Sequence, residues 1–335
     1  MTRKERVQAA LAKKEVDRPP VSVWLHFPDV DQCPRSLAEH QVYFNEKFDY
    51  DFIKLMPFGA YSVSDWGAKL EIFCNKTKPV LIAAPGIESV EDYYRIEPLH
   101  PTYGTWGKQL QLVQHMSKLV RKDTPFIQTL FTPLTTLRKL TGDRLLKDMQ
   151  EAPEAVHKAL VEITKTSVDF AKACIEAGVS GFFYATQCST TDYISREMHA
   201  EFCKPYDLQV ANCFKDDTYF NVMHIHGSNI LFDILKDYPL NCINWHDRHT
   251  EPSLAQAKKL SDKAFLGGIN EVPMGSVAKH ISFLSQNTPS QIKEHVREAI
   301  AMMGDRRGLL IGPGCVADPS VTDEKLQAVR EAVNP

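Results

Sequence analysis

Two histidines separated by one residue stand in Asn221-Val-Met-His-Ile-His-Gly-Ser, and a cysteine stands far downstream in Gly312-Pro-Gly-Cys-Val. A strand over 222–226 puts His224 and His226 on one face, because side chains along a strand alternate with a period of two. Cys315 follows the apolar run Gly308-Leu-Leu-Ile-Gly, which reads as the last buried strand, so its sulfur can enter from another strand end. Two neutral imidazoles and one thiolate form a metal site with one place open, the ligand count of a catalytic rather than a structural zinc. Zinc is favoured over iron or copper because mixed nitrogen and sulfur donors suit it.

Further candidates come from the other strand ends. His246 is a candidate catalytic group, as a fourth ligand or as a partner that orients an imidazole. Glu271, in Gly-Gly-Ile-Asn-Glu, is a candidate general base or a displaceable ligand. His26, Tyr184, Gln187, Trp245, Asp247 and Asn270 are candidate substrate-binding residues. A single histidine on an apolar strand is more often a hydrogen-bonded core residue, and a single cysteine more often a small core hydrophobe. It is the pairing of His224 with His226, matched to Cys315, that favours a metal.

These side chains need a scaffold that brings distant stretches to one mouth. Short apolar runs at 21–25, 51–55, 125–130, 181–184, 221–226, 241–245, 264–268 and 308–311 alternate with helical stretches, the signature of parallel β/α units. The count predicts an α/β fold, a (β/α)8 TIM barrel, whose active site lies at the C-terminal ends of the strands. A doubly wound open sheet is the competing topology, but no GxGxxG turn follows an early strand. One helix is predicted around 153–177, with Val156, Leu160, Ile163 and Val168 near a 3.6-residue period, and another begins at Thr288. Residues 1–335 read as one barrel domain, with 60–105 an insertion or lid.

The chain carries 39 Lys+Arg against 42 Asp+Glu, a net charge of -3 without a basic stripe, so no nucleic-acid partner is expected. No apolar run approaches a membrane span and no signal peptide is evident, which predicts a cytoplasmic protein without a membrane partner. The 8 cysteines show no CxxC pair or disulfide framework, as expected in a reducing compartment. A homodimer is compatible with all of this.

The motifs resemble the uroporphyrinogen decarboxylase superfamily, and within it the zinc-dependent, corrinoid-linked methyltransferases. Arg3-Lys-Glu-Arg-Val through Asp17-Arg-Pro-Pro-Val is similar to that family's opening, and stretches 125–137, 181–206, 267–271 and 312–326 to its later blocks. The resemblance implies the same barrel. It further implies zinc on a His-x-Cys pair after the fifth strand and a Cys after the eighth, with methylcobalamin on a separate corrinoid protein as methyl donor. His224 and Cys315 match the first and last ligands, while His226 stands where the pattern has cysteine. That exchange of a thiolate for an imidazole moves the site's summed charge from about zero to about +1 and makes the zinc more electrophilic. The decarboxylase branch's basic strand end and aspartate are replaced by Trp24-Leu-His-Phe-Pro and Lys54-Leu-Met-Pro-Phe-Gly, which argues against porphyrin decarboxylation.

The expected activity is therefore methyl transfer to a small thiol that enters the open metal position. One alternative is a zinc-dependent lyase or hydrolase that activates water, or a decarboxylase of this family. Another is a non-catalytic barrel that binds a corrinoid or tetrapyrrole.

Overall fold

The computed structural model describes residues 1–271 and 283–334. Its regular strands are β1 (Ile53–Lys54), β2 (Lys69–Glu71), β3 (Leu81–Ala84), β4 (Phe126–Phe131), β5 (Gly181–Thr186), β6 (Val222–Ile225), β7 (Cys242–Trp245), β8 (Ala264–Ile269) and β9 (Leu309–Pro313). β1 and β4 to β9 form one curled sheet in the order β1-β4-β5-β6-β7-β8-β9, and all six pairings are parallel. Every residue in β4 to β9 is buried, as expected when helices cover one face of a parallel sheet and side chains fill the other.

Seven of the eight runs expected from the sequence are regular strands of this sheet. The eighth, 21–25, is not: it meets β9 and the chain beyond it only through isolated parallel bridges, Val21 with Ile311 and Leu25 with Ala317. The regular ladders therefore draw a seven-stranded, curled parallel sheet rather than the complete eight-stranded barrel. Pro19 and Pro20 remove two backbone donors at the entry to this segment, which works against a continuous ladder. The segment nevertheless lies between the sheet edges. Ser22 N donates to Ile311 O at 3.0 Å on one side, and Asp51 N donates to Val21 O at 2.8 Å on the other. Buried Asp51 fixes it further, accepting from Val21 N at 2.8 Å, Arg18 Nη1 at 2.5 Å and Arg6 Nη1 at 2.6 Å.

The helix expected around 153–177 runs Pro153–Glu176, and Gly178 follows with φ +95°. Proline at its start costs no hydrogen bond, because the first-turn donors have no partner within a helix. Val156, Leu160 and Ile163 are buried as the period requires, but Ser167 rather than Val168 takes the next inward place, its hydroxyl satisfied by Ile163 O at 2.9 Å. The later helix, Pro289–Met302, opens on a reciprocal cap between Thr288 and Gln291. Residues 60–105 contain the antiparallel hairpin of β2 and β3. Trp66, Ile87, Tyr93 and Ile96 nonetheless pack into the common core. Among the described residues, no helix is long and apolar enough to cross a membrane.

Candidate metal centre

Strand register sets the first two donors. His224 lies in β6 opposite Ala185 of β5 and Asn244 of β7, and His226 follows the strand's end with its N–H donated to Thr186 O at 3.0 Å. Cys315 arrives two residues beyond β9. Donor atoms of His224, His226 and Cys315 all lie within 4.8 Å of one another. The sulfur is 3.7 Å from His226 Nδ1. Two imidazoles and a thiol at this spacing are a donor set suited to zinc.

Asn244, which the sequence did not single out, fixes the His224 ring. Its Nδ2 donates to Leu266 O at 2.7 Å and Pro313 O at 3.1 Å, which leaves Oδ1 facing His224 Nδ1 at 2.6 Å. An amide oxygen only accepts, so Nδ1 carries the proton and Nε2 keeps a lone pair for a metal. Burial, reinforced by the neighbouring His226 and His246, pushes the His224 pKa well below its ordinary value, and burial lowers His226 to about 3. Both rings are therefore neutral at pH 7, the state a metal requires. The same burial raises the Cys315 thiol to about 12, with Glu271 adding to it. Without a cation, then, the sulfur holds its proton.

His246 and Glu271 stand beside this cluster. His246 Nδ1 is hydrogen-bonded to Glu271 Oε1, and its Nε2 is 3.1 Å from His226 Nδ1. Glu271 Oε2 accepts from Gly314 N at 2.9 Å. Carboxylate, imidazole and candidate ligand thus form a chain, the arrangement that sets the orientation of metal-bound histidines. Burial pushes the Glu271 carboxyl above and the His246 imidazole below its ordinary value. Gly314 is needed for this approach, since a Cβ there would sit 2.5 Å from Trp245 O and 2.8 Å from Glu271 Oε2. Gly314→Ala is expected to cost about 1–3 kcal/mol of stability through that overpacking. Urea unfolding at equilibrium checks it.

A cavity of about 260 Å³ opens onto His224, His226 and Cys315. Its apolar wall includes Trp24 and Phe183, and Phe183 stacks on His224 with ring centroids 4.9 Å apart. Two lysines, Lys54 and Lys139, also line it. Lys54 is 7% exposed, and its ammonium lies 2.7 Å from Met56 Sδ and 4.6 Å from the Phe183 centroid. Lys139 is less deeply buried and donates to Gly59 O at 2.6 Å. Neither has a carboxylate acting on it among the described residues. Burial lowers each of them to about 7.

Of the six residues expected to bind substrate, His26 and Gln187 line this cavity. The other four do not. Tyr184 points to the opposite side of β5, where its hydroxyl donates to Asp207 O at 3.3 Å, while its neighbours Phe183 and Ala185 face the cavity. Trp245 likewise turns outward, its Nε1 donating to Pro252 O at 2.7 Å and its ring against Phe232 and Phe265. Asp247 accepts from Gly268 N at 3.0 Å, and Asn270 N donates to His295 Nε2 at 3.0 Å. These are supports for the β8 end. Position at a strand end is legible in sequence, but which face a residue takes depends on the register.

Comparison with known proteins adds independent information. The family model described as uroporphyrinogen decarboxylase (URO-D) matches residues 2–335. A methylcobamide:CoM methyltransferase, MtbA, of Methanosarcina acetivorans is 22% identical over 332 residues, covering 94% of this chain and 92% of the relative. The protein of the same name from Methanosarcina mazei is 24% identical over 245 residues, 68% of this chain and 70% of its own. Among solved structures, a methyltransferase from Methanosarcina mazei superposes with a TM-score of 0.80 at 18% identity, covering 99% of this chain and 98% of that one. A B12-independent methionine synthase from a Shewanella species superposes with a TM-score of 0.53 at 13% identity, covering 94% and 90%.

Proposed function

We propose, from the premise that this chain belongs to the uroporphyrinogen decarboxylase (URO-D) family, that it is a methyltransferase moving a methyl group from a methylcorrinoid to a small anionic thiol at a zinc site. The relatives named methylcobamide:CoM methyltransferase support the methyl donor and the thiol acceptor. The observation that carries the reading is the cluster of His224, His226 and Cys315 at the wall of a cavity large enough for a small substrate. As the relatives' name suggests a methylcobamide donor, the corrinoid is assigned to a separate partner protein that docks over the mouth.

His224, His226 and Cys315 would hold the zinc, which when bound supplies a Lewis acid that stabilises a thiolate near neutral pH. Methyl transfer forms a carbon–sulfur bond and breaks the carbon–cobalt bond, whose electron pair stays with the corrinoid. The acceptor sulfur must therefore have lost its proton before attack. Trp24 and Phe183 keep water from the wall beside His224. Lys54 and Lys139, lacking carboxylate partners among the described residues, give the cavity a positive lining suited to an anionic group on the acceptor. His26 and Gln187 offer further polar contacts to that group. His246 is assigned the orienting role offered for it from sequence, and Glu271 a positioning role in place of general base or displaceable ligand, since His246 reaches His226, Glu271 reaches His246, and neither lines the cavity.

Asn244→Leu should keep the branched outline of residue 244 and remove both the acceptor that fixes the His224 tautomer and the amide donors to Leu266 O and Pro313 O. Zinc affinity is expected to fall about 10–100-fold, the usual cost of losing a partner behind a ligand. Competition with a chromophoric chelator measures it. The overall reading is tested by single-turnover mixing of methylcobalamin, zinc-loaded protein and an anionic thiol. Metal-dependent thioether is the expected product, and its absence with metal-replete, folded protein would overturn the proposal.

A further inference from the structure

A second group of donors lies on the far side of the sheet. The helices Arg196–Phe202 and Lys204–Asn212 meet at Cys203, and His199, Cys203 and Asp207 recur every four residues, which aligns them along one face of the helical run. Their donor atoms lie within 4.8 Å of one another. All three are buried, at 0%, 1% and 0% exposure. Tyr184, from the face of β5 turned away from the cavity, donates its hydroxyl to Asp207 O at 3.3 Å. The group therefore sits in the layer between sheet and helices, outside the reaction cavity.

Its polar atoms are short of partners. Neither His199 Nδ1 nor Nε2 has a hydrogen-bond partner among the described residues, and Asp207 Oδ1 has none. Asp207 Oδ2 accepts from the Tyr238 hydroxyl at 3.2 Å. Each buried polar atom left unsatisfied costs about 1–3 kcal/mol, so an imidazole and one carboxylate oxygen without partners side by side call for an occupant that satisfies both.

We infer that His199, Cys203 and Asp207 hold a second divalent transition-metal ion, of zinc's chemical class, that fastens this helix pair rather than taking part in methyl transfer. An imidazole, a thiolate and a carboxylate are ligands zinc accepts, and a sulfur donor disfavours magnesium or calcium. Thiolate and carboxylate together carry two negative charges, which a divalent ion cancels, so the filled site is neutral in a place where net charge is costly. Three protein donors leave one position, which a buried water completes.

The test is metal stoichiometry by mass spectrometry after zinc loading and desalting, read together with thioether formation. Two equivalents of zinc are expected in the wild type and one in Cys315→Ser. Cys203→Ser is also expected to hold one, with thioether formation retained and the melting temperature lowered. Cobalt(II) loading of Cys315→Ser should still give a thiolate-to-cobalt charge-transfer band, because Cys203 then supplies the sulfur, and the band should vanish in the Cys203→Ser/Cys315→Ser double variant. Cys203→Ser that binds as much zinc as the wild type, or Cys315→Ser without a thiolate-to-cobalt band, would overturn the inference and leave an ordered water between the three side chains. If Cys203→Ser fails to fold, the cobalt spectrum of Cys315→Ser still decides. Failure of thioether formation in the wild type would count against the methyltransferase reading alone, since the stoichiometry remains readable.

Discussion

Replacing Cys315 with serine is expected to abolish zinc binding at the cavity and to lower thioether formation about a thousandfold or more, roughly 4 kcal/mol of transition-state stabilisation. The size follows from the donor set. Cys315 supplies the cluster's one sulfur and, once deprotonated, its one negative charge. Its removal leaves two neutral imidazoles, which hold a divalent cation weakly. Serine cannot compensate, because its hydroxyl is far harder to deprotonate in a place where burial already raises the thiol to about 12. His226→Cys provides the counterpart. It restores the thiolate that the resemblance implies at this position and should retain metal, with a more nucleophilic bound thiolate. Metal content and single-turnover rate are measured on the same preparations. A Cys315→Ser protein that turned over within tenfold of the wild type would sink the assignment of this cluster to the chemistry.

Much of this site was written locally in the chain. The alternation of a strand places His224 and His226 together, and an apolar run followed by Gly-Cys brings Cys315 to a strand end, so both could be read without coordinates. Asn244 could not. Its role arises because β6 and β7 pair in a register that sets it opposite His224, while its amide nitrogen reaches carbonyls of β8 and β9. No local pattern encodes a partnership across four strands. The same gap explains Tyr184 and Trp245, which lie near strand ends but face the helical layer. The segment 21–25 shows the opposite limit. Its hydrophobicity predicts a strand, yet the structure holds it in place through isolated bridges and through Asp51, whose charge pairs with Arg6 and Arg18.

Lys54 marks a further place where sequence was silent, since a lysine in an apolar strand reads as an exposed edge residue rather than as a charge turned into a cavity. Taking an ammonium out of water without a counter-ion is costly, and its pKa of about 7 expresses that cost. A substrate anion is the partner that would offset it. Lys54→Met is therefore expected to weaken binding of mercaptoethanesulfonate about 100–1,000-fold while leaving mercaptoethanol, its neutral counterpart, within about threefold. The pH dependence has a defined sign. With the free-protein pKa near 7, the lysine is mostly charged below that value and mostly neutral above it. Apparent affinity for the anionic thiol should thus fall as pH rises through about 7, and the slope should be reduced in Lys54→Met, with Lys139, lowered to the same range, supplying the remainder. Calorimetric titration of both thiols from about pH 6 to 8 separates this from titration of the acceptor's own sulfhydryl, because mercaptoethanol carries the sulfhydryl without the anion. Equal losses for the two thiols would instead mean that Lys54 shapes the cavity by packing, its ammonium against Phe183 and Met56, and that the acceptor's charge is read elsewhere.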